Sequence, residues 1–379
     1  GEKMRCMFSK LMMAEANTLF VDQPTNHLDL ESIQSVNKGL MEYKGALMMT
    51  SHDHKLLNSV TNKIVTIGLK GENLAELSAM AESTARVRIF SDDGHCVSDP
   101  VLMRRALEYV KAFNGVIAQH AQEPRLTEGA QMNEGVISGK LGLAGWPAVA
   151  EEAIIARDVL LAEHVGSRLH ICHLTTAGGV EIIRWAKVRG IDVTAEVTPH
   201  HLLLTDESAR SYDPIFKVNP PLRTEKDVWA LREGLAEGVI DIVATDHAPH
   251  PAEDKDCEWQ AAAFGMVGLE TALSVVIKTM IESKLMGWKE LVDRMSIKPA
   301  QIAGYKTQGQ SIALSSVANL ILVDPVATWQ VERSKLHSKS RNTPFHGMEL
   351  PGLISDVIYN GAQSMIASKV VKVASGSNE

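Results

Sequence analysis

The sequence predicts an α/β protein built on a parallel (β/α)8 barrel, followed by a small β subdomain. From about residue 71, apolar β-rich runs alternate with long helix-like segments, which indicates a parallel sheet. Residues able to bind a metal ion stand at the end of five such runs: VRIFSDD (87–93), GVIAQHA (115–121), RLHICHLTT (168–176), DVTAEVTPHH (192–201) and IDIVATDHAPH (240–250). Chemistry at the carboxyl ends of successive strands is typical of a barrel, whereas a doubly wound sheet usually has one cluster at a switch point.

The boundaries of the predicted units follow changes in composition and hydrophobic pattern along the chain. Residues 1–68 are Met-rich and contain three short apolar runs, TLFVD, ALMMT and KIVTIG. Residues 69–315 carry the barrel-like alternation. Residues 316–365 include LILVDPVATWQV and LISDVIYNGAQSM, whose alternating polarity predicts the strands of the β subdomain. Residues 366–379 are expected to form a flexible tail.

Composition and charge restrict the class of function. A net charge of -8 argues against nucleic acid as a direct partner, because phosphate neutralisation requires clustered Lys and Arg. The four cysteines have no CxxC spacing, which fits reduced thiols in a cytosol. No apolar run approaches the roughly 20 residues that span a bilayer. We therefore expect a cytoplasmic protein without a membrane partner; its oligomeric state stays open, with a homo-oligomer as one option.

The side chains at the ends of the runs are imidazoles and carboxylates without a thiolate: Asp92, Asp93, His120, His173, His200, His201, Asp246, His247 and His250. This mixture is typical of catalytic zinc or manganese centres. A bound ion lowers the pKa of its water to about 7, and a nearby carboxylate can then accept and return a proton. Asp246 stands at the end of the last barrel-like strand and is placed for this role. Each residue taken singly also has a structural explanation, so the array carries the prediction.

Eight segments in order resemble the bacterial type I dihydroorotases of the amidohydrolase superfamily: FSDDG, AQHAQEPRL, HICHLTTAGGVE, VTAEVTPHHLLLTD, KVNPPLR, IVATDHAPH, FGMVGLETA and SRNTPF. The resemblance spans about residues 64–363. It implies a zinc-dependent barrel enzyme that interconverts N-carbamoyl-L-aspartate and dihydroorotate in pyrimidine biosynthesis. A small-molecule substrate is therefore the expected partner.

The resemblance also implies roles for individual residues. Asp93 would bridge two metal ions. His120 and His173 would complete one metal site, whereas Asp246 would serve the other site and act as the catalytic acid and base. Substrate contacts are implied for four residues: Asn219, His250, Phe264 and Gly265.

The family also carries an HxH pair on its first barrel strand, and this chain has no such segment, so the resemblance implies an incomplete barrel. It leaves open whether two zinc ions bind, as in the family, or only one. Residues 1 to about 68 instead resemble the C-terminal part of an ABC-F-type ATPase domain, with TLFVDQPTNHLD as the Walker B strand and TSHDH as the switch loop. Asp22, Gln23 and His52 would be remnants of a nucleotide site. ATP hydrolysis is not expected, because no GxxxxGK[ST] phosphate loop occurs and Gln23 cannot accept a proton.

Three interpretations stay open from the sequence: a metal hydrolase impaired by its missing strand, an ABC-F-like ATP-binding module associated with the ribosome, and a chimeric chain without activity. In a further hypothesis, strands of the first segment complete the barrel, and His52 and His54 replace the missing HxH pair. The alternative is that both histidines belong only to the ATPase switch loop.

Overall fold

The computed structural model describes residues 18–22, 46–50, 74–92 and 94–371. Its strands are β1 (Thr18–Asp22), β2 (Ala46–Thr50), β3 (Ile89–Phe90), β4 (Val116–Gln119), β5 (Met132–Asn133), β6 (Gly145–Trp146), β7 (Arg168–Ile171), β8 (Val193–Val197), β9 (Ile242–Val243), β10 (Leu320–Gln330), β11 (Glu349–Tyr359), β12 (Ala362–Ile366) and β13 (Lys369–Val370). The α-helices are α1 (Leu77–Glu82), α2 (Pro100–Lys111), α3 (Val136–Leu141), α4 (Val149–Val165), α5 (Ala177–Val188), α6 (Pro199–Leu203), α7 (Glu225–Glu237), α8 (Ala252–Lys255), α9 (Ala272–Val276), α10 (Trp288–Val292) and α11 (Lys298–Ala303).

The central sheet has five strands in the order β3-β4-β7-β8-β9, and every neighbouring pair is parallel. This order follows the chain, as in a barrel, whereas a doubly wound sheet reverses its order part-way. Each of the five metal-binding runs in the sequence contains one of these strands. The predicted parallel α/β sheet is therefore confirmed.

Helices connect successive strands and pack their apolar faces onto the sheet. Among the described helices α4 is the longest, and its residues Ile155 and Val159 are fully buried beside Ile171 of β7 in one hydrophobic cluster. The ends of the connecting helices are well defined: the Asp99 side chain accepts a hydrogen bond from the Leu102 amide at the start of α2, 2.7 Å away. At the end of α4, Gly166 takes a left-handed conformation with φ 67°.

A second sheet is antiparallel and has the order β10-β11-β12-β13. It contains the two segments in which alternating polarity predicted strands. The sheet includes the first residues of the segment predicted as a tail, 366–379, because Ile366 pairs with Lys369 and Met365 pairs with Val370. Residues 372–379 lie outside the described part of the chain.

Strands β1 and β2 form a parallel pair of their own, with Thr18 opposite Ala46 and Asp22 opposite Thr50. They do not belong to the five-stranded sheet, so the described strands of the first segment do not extend it. Asp22 is the last residue of β1, while Gln23, His52 and His54 lie outside the described residues. None of the described helices is both long and apolar enough to cross a membrane.

Candidate metal centre at the carboxyl ends of the strands

The parallel sheet brings the chemically active side chains to one edge. His120 directly follows β4, His173 lies two residues beyond β7, and Asp246 lies three residues beyond β9. Because parallel strands point the same way, these residues share the edge at which barrel enzymes build their active sites. Asp93, predicted to bridge two ions, lies outside the described residues.

His120 and His173 form a buried pair. Their rings are in edge-to-face contact, and His120 Nδ1 lies 2.9 Å from His173 Nε2. The other nitrogen of His120, Nε2, lies 2.7 Å from the Gln122 Oε1, which fixes the orientation of that ring. The structure therefore brings together the two histidines that the sequence assigned to one metal site.

Burial keeps the His120 and His200 imidazoles neutral. It lowers the pKa of His120 to about 3, and the neighbouring His173 lowers it further. Burial likewise lowers the pKa of His200 to about 3, again with a smaller contribution from His173. A neutral imidazole is the form of histidine that binds a metal ion. At neutral pH these side chains are thus ready to act as ligands.

The fit of these residues to a metal ion can be judged from their unsatisfied atoms. His173 Nδ1 and His200 Nε2 are buried and have no hydrogen-bond partner among the described residues. Buried polar atoms normally have a partner, and each exception calls for an explanation such as a missing ion or water. Within the described ranges, no group of three or more His, Cys, Asp or Glu side chains is arranged to hold a metal ion. The His120–His173 pair fits two ligands of a centre whose predicted bridging residue, Asp93, is not described.

The backbone at two of the candidate residues is strained. His173 has φ 33° and Asp246 has φ 43°, values that non-glycine residues rarely adopt. Such strain costs about 1–3 kcal/mol per residue and is concentrated at active sites, where the surrounding structure enforces it. At His173, the amide donates to the Glu196 Oε1 across 3.3 Å, and the next amide, Leu174, donates to the Glu196 carbonyl across 2.8 Å.

Three of the four predicted substrate-contact residues lie together. His250 Nε2 is 2.8 Å from the Phe264 carbonyl oxygen, and Gly265 follows in the same loop. Gly265 has φ 140°, and a Cβ added there would lie 2.7 Å from both His250 Nε2 and Ala248 Cβ. Only glycine therefore allows this close approach. The fourth residue, Asn219, has a buried side-chain oxygen without a hydrogen-bond partner in the described structure.

Comparison with known proteins identifies the family. A protein-family model described as "Dihydro-orotase-like" matches residues 35–178. The dihydroorotase of Streptomyces coelicolor is 68% identical over 306 residues, covering 81% of this chain and 72% of that relative. The chain belongs to the dihydroorotase family. The dihydroorotase of Mycobacterium tuberculosis is 54% identical over 297 residues, which cover 78% of this chain and 69% of that protein.

Two solved structures share the fold of this dihydroorotase-family chain. The L-hydantoinase (dihydropyrimidinase) of Arthrobacter aurescens matches with a TM-score of 0.70 and 22% identity, covering 96% of this chain and 80% of that one. The dihydropyrimidinase of Brevibacillus agri matches with a TM-score of 0.68 and 20% identity, covering 93% of this chain and 77% of that one. The chain thus has the fold of these barrel-type amidohydrolases and is a cyclic amidohydrolase by family.

Two residues that sequence reasoning did not single out hold the loops of this dihydroorotase-family site. The Asn342 side chain donates to the carbonyls of Ala248 and Gly265, 2.8 and 3.2 Å away, and so ties two loops together. The buried Lys217 ammonium donates to three carbonyls in the segment that precedes Phe264 and lies 4.4 Å from the Phe264 ring. Both residues lie within quoted family segments, SRNTPF and KVNPPLR, but only their contacts reveal the roles.

Proposed function

We propose that this chain catalyses the reversible cyclisation of N-carbamoyl-L-aspartate to dihydroorotate, with loss of water, at a zinc centre. The observation that carries the proposal is the buried His120–His173 pair at the carboxyl edge of the sheet, in a chain that is 68% identical to a dihydroorotase. We also propose that residues 69–315 form the catalytic barrel and residues 316–365 its β subdomain.

Four side chains would act as metal ligands: Asp93, His120 and His173 at one site, and Asp246 at the other site, to which Asp93 would bridge. A bound divalent ion would polarise the amide carbonyl and lower the pKa of water to about 7. The number of bound ions depends on which other residues act as ligands beside His120 and His173. The described ligands support at least one ion.

The proton transfers are assigned to Asp246. In hydrolysis of the ring, its carboxylate accepts a proton from the attacking water and passes it to the departing ring nitrogen. In cyclisation the same carboxyl group works in the reverse order, as microscopic reversibility requires. The loop that carries Asp246 is held by the pairing of its neighbour His247 with Met266, so the carboxylate sits on a fixed support.

A cleft of about 1000 Å³ beside this loop suits a small dianion. Its lining contains His250 and four basic side chains: Lys255, Arg333, Lys339 and Arg341. Only two carboxylates, Asp213 and Asp256, also line it, so the cleft has a positive balance in a chain whose net charge is -8. Both proposed reactants carry carboxylate groups, and a positive cleft raises their local concentration.

The proposed substrate can be tested against a ring that lacks the carboxylate. The purified, zinc-loaded protein is given dihydroorotate or dihydrouracil, and ring opening is followed. We expect kcat/KM to favour dihydroorotate by at least about tenfold, because hydrogen bonds to charged groups contribute roughly 1.5–3 kcal/mol. Equal or faster opening of dihydrouracil would contradict the assignment and favour a hydantoinase-type specificity.

The ATPase-like alternative rests on the first segment alone. The parallel pairing of β1 with β2 is compatible with an ATPase-type sheet, but the chain contains no phosphate loop. Without that loop the backbone amides that cradle a triphosphate are lacking. We therefore do not propose nucleotide hydrolysis as a function of this chain.

A further inference from the structure

A buried carboxylate lies next to the loop 172–176, which carries His173 and is called here the metal-site loop. Glu151, in the first turn of α4, is only 2% exposed. Its Oε1 accepts hydrogen bonds from the amides of Thr175 and Thr176, 2.8 and 3.1 Å away, and from the Thr176 hydroxyl at 3.1 Å. Its Oε2 accepts a hydrogen bond from the Thr175 hydroxyl. All four donors belong to the two residues that closely follow His173.

An equally buried cation completes this arrangement. Arg223 is 1% exposed, and its Nη2 lies 3.8 Å from the Glu151 Oε2. Its Nε donates to the Thr175 hydroxyl across 3.1 Å, and its Nη1 donates to the Asn133 side chain and the Trp146 carbonyl. A buried charge is costly unless it is paired and hydrogen-bonded. Glu151 and Arg223 are paired, and both form hydrogen bonds to Thr175, although Arg223 Nη2 itself has no hydrogen-bond partner in the described structure.

The loop that these contacts hold is the strained one. His173 has φ 33°, so its backbone needs support on both sides. Glu196 binds the His173 amide from β8, and Glu151 binds the two residues that leave the loop. If Glu151 released Thr175 and Thr176, the His173 backbone could relax, and its imidazole would turn away from His120.

We propose that Glu151 is a positioning residue for His173, acting through Thr175 and Thr176 to keep the imidazole in ligand geometry. This inference rests on the proposed metal centre. The competing explanation is purely structural: Thr176 is the N-cap of α5, and Glu151 could serve only to anchor that helix. The two explanations differ in what happens to metal affinity.

The test compares Glu151→Gln with a matched control, Asp241→Asn. Asp241 is also a poorly exposed carboxylate, bound to the Ala195 amide at 2.9 Å and to the Lys187 ammonium at 2.7 Å, but it lies at the opposite end of the sheet. Zinc affinity is measured by competition with a chelator, and stability by thermal unfolding. We expect Glu151→Gln to weaken zinc binding roughly tenfold to a hundredfold, the usual effect of a lost supporting contact. Asp241→Asn should lower stability only.

A second pair of variants guards against misfolding. Thr175→Val removes the hydroxyl while preserving shape, so it should weaken zinc binding in the same direction, and Thr175→Ser should restore it. Unchanged zinc affinity in both Glu151→Gln and Thr175→Val would overturn the inference and leave the metal centre standing. A wild-type protein that binds no zinc would overturn both. Zinc binding without hydrolysis of dihydroorotate would overturn the proposed reaction alone.

Discussion

Replacing Asp246 with asparagine is expected to lower kcat for dihydroorotate hydrolysis by roughly a hundredfold to ten-thousandfold, the range that general acid–base groups contribute. Asparagine has nearly the shape of aspartate but cannot accept the proton of the attacking water. It also tolerates the left-handed backbone that Asp246 adopts at φ 43°. The substitution therefore removes the proton acceptor without adding backbone strain. Steady-state kinetics in the zinc-loaded protein measure the effect.

The Asp246→Asn result is interpretable only beside a stability control. We expect its thermal unfolding to stay close to that of the wild type, and its KM to change less than its kcat. An Asp246→Asn protein that retains wild-type kcat would show that another group transfers the proton. Zinc content is measured on the same samples, because Asp246 is also a proposed ligand.

Replacing Gly265 with alanine is the second large effect that we expect. The new Cβ would lie 2.7 Å from His250 Nε2 and from Ala248 Cβ, and φ at this position is 140°. The loop must shift, at a cost of about 1–3 kcal/mol for the strained backbone, and His250 would lose its place beside the Phe264 carbonyl. We expect KM for dihydroorotate to rise by about tenfold or more, since each 1.4 kcal/mol of lost binding is tenfold.

Gly347→Ala is a control that separates the effect of backbone strain from the effect of the steric contact with His250 and Ala248. Gly347 also has a positive φ, 82°, but a Cβ there would meet nothing within 4 Å. It should lower the free energy of unfolding through backbone strain while leaving KM unchanged. If Gly265→Ala and Gly347→Ala behaved alike, the close approach of His250 to Gly265 would have no role in substrate binding.

Much of the fold could be predicted because the sequence pattern is local. Each strand of the central sheet lies in an apolar run bounded by polar residues. The candidate metal-binding residues follow close after the end of each strand. This pattern placed His120 and His173 in a metal-binding array, and the resemblance to the dihydroorotases assigned them to one site before any contact was known. The parallel direction of the strands followed from the same alternation, since the helix of a strand–helix–strand unit carries the chain back so that the next strand starts at the same edge of the sheet.

Other features depend on contacts distant in sequence and left no local signal. Glu151 and Glu152 are adjacent glutamates, yet only Glu151 is fully buried against the metal-site loop. His201 stood in the predicted metal-binding array, but its two ring nitrogens lie 2.7 Å from the Thr198 hydroxyl and 3.1 Å from the Pro220 carbonyl oxygen. In the described structure it is therefore engaged in holding two loops. Burial and hydrogen-bond partners decide such roles, and the local sequence predicts neither of them.

The most direct test of the account is the metal content of purified protein, wild type against His120→Ala, with His201→Gln as a matched buried-histidine control. We predict that the wild type and His201→Gln bind zinc and hydrolyse dihydroorotate, and that a chelator abolishes the activity. His120→Ala should fold cooperatively but retain neither zinc at this site nor activity. Equal zinc content and activity in His120→Ala and the wild type would contradict the central claim that the His120–His173 pair holds the catalytic metal.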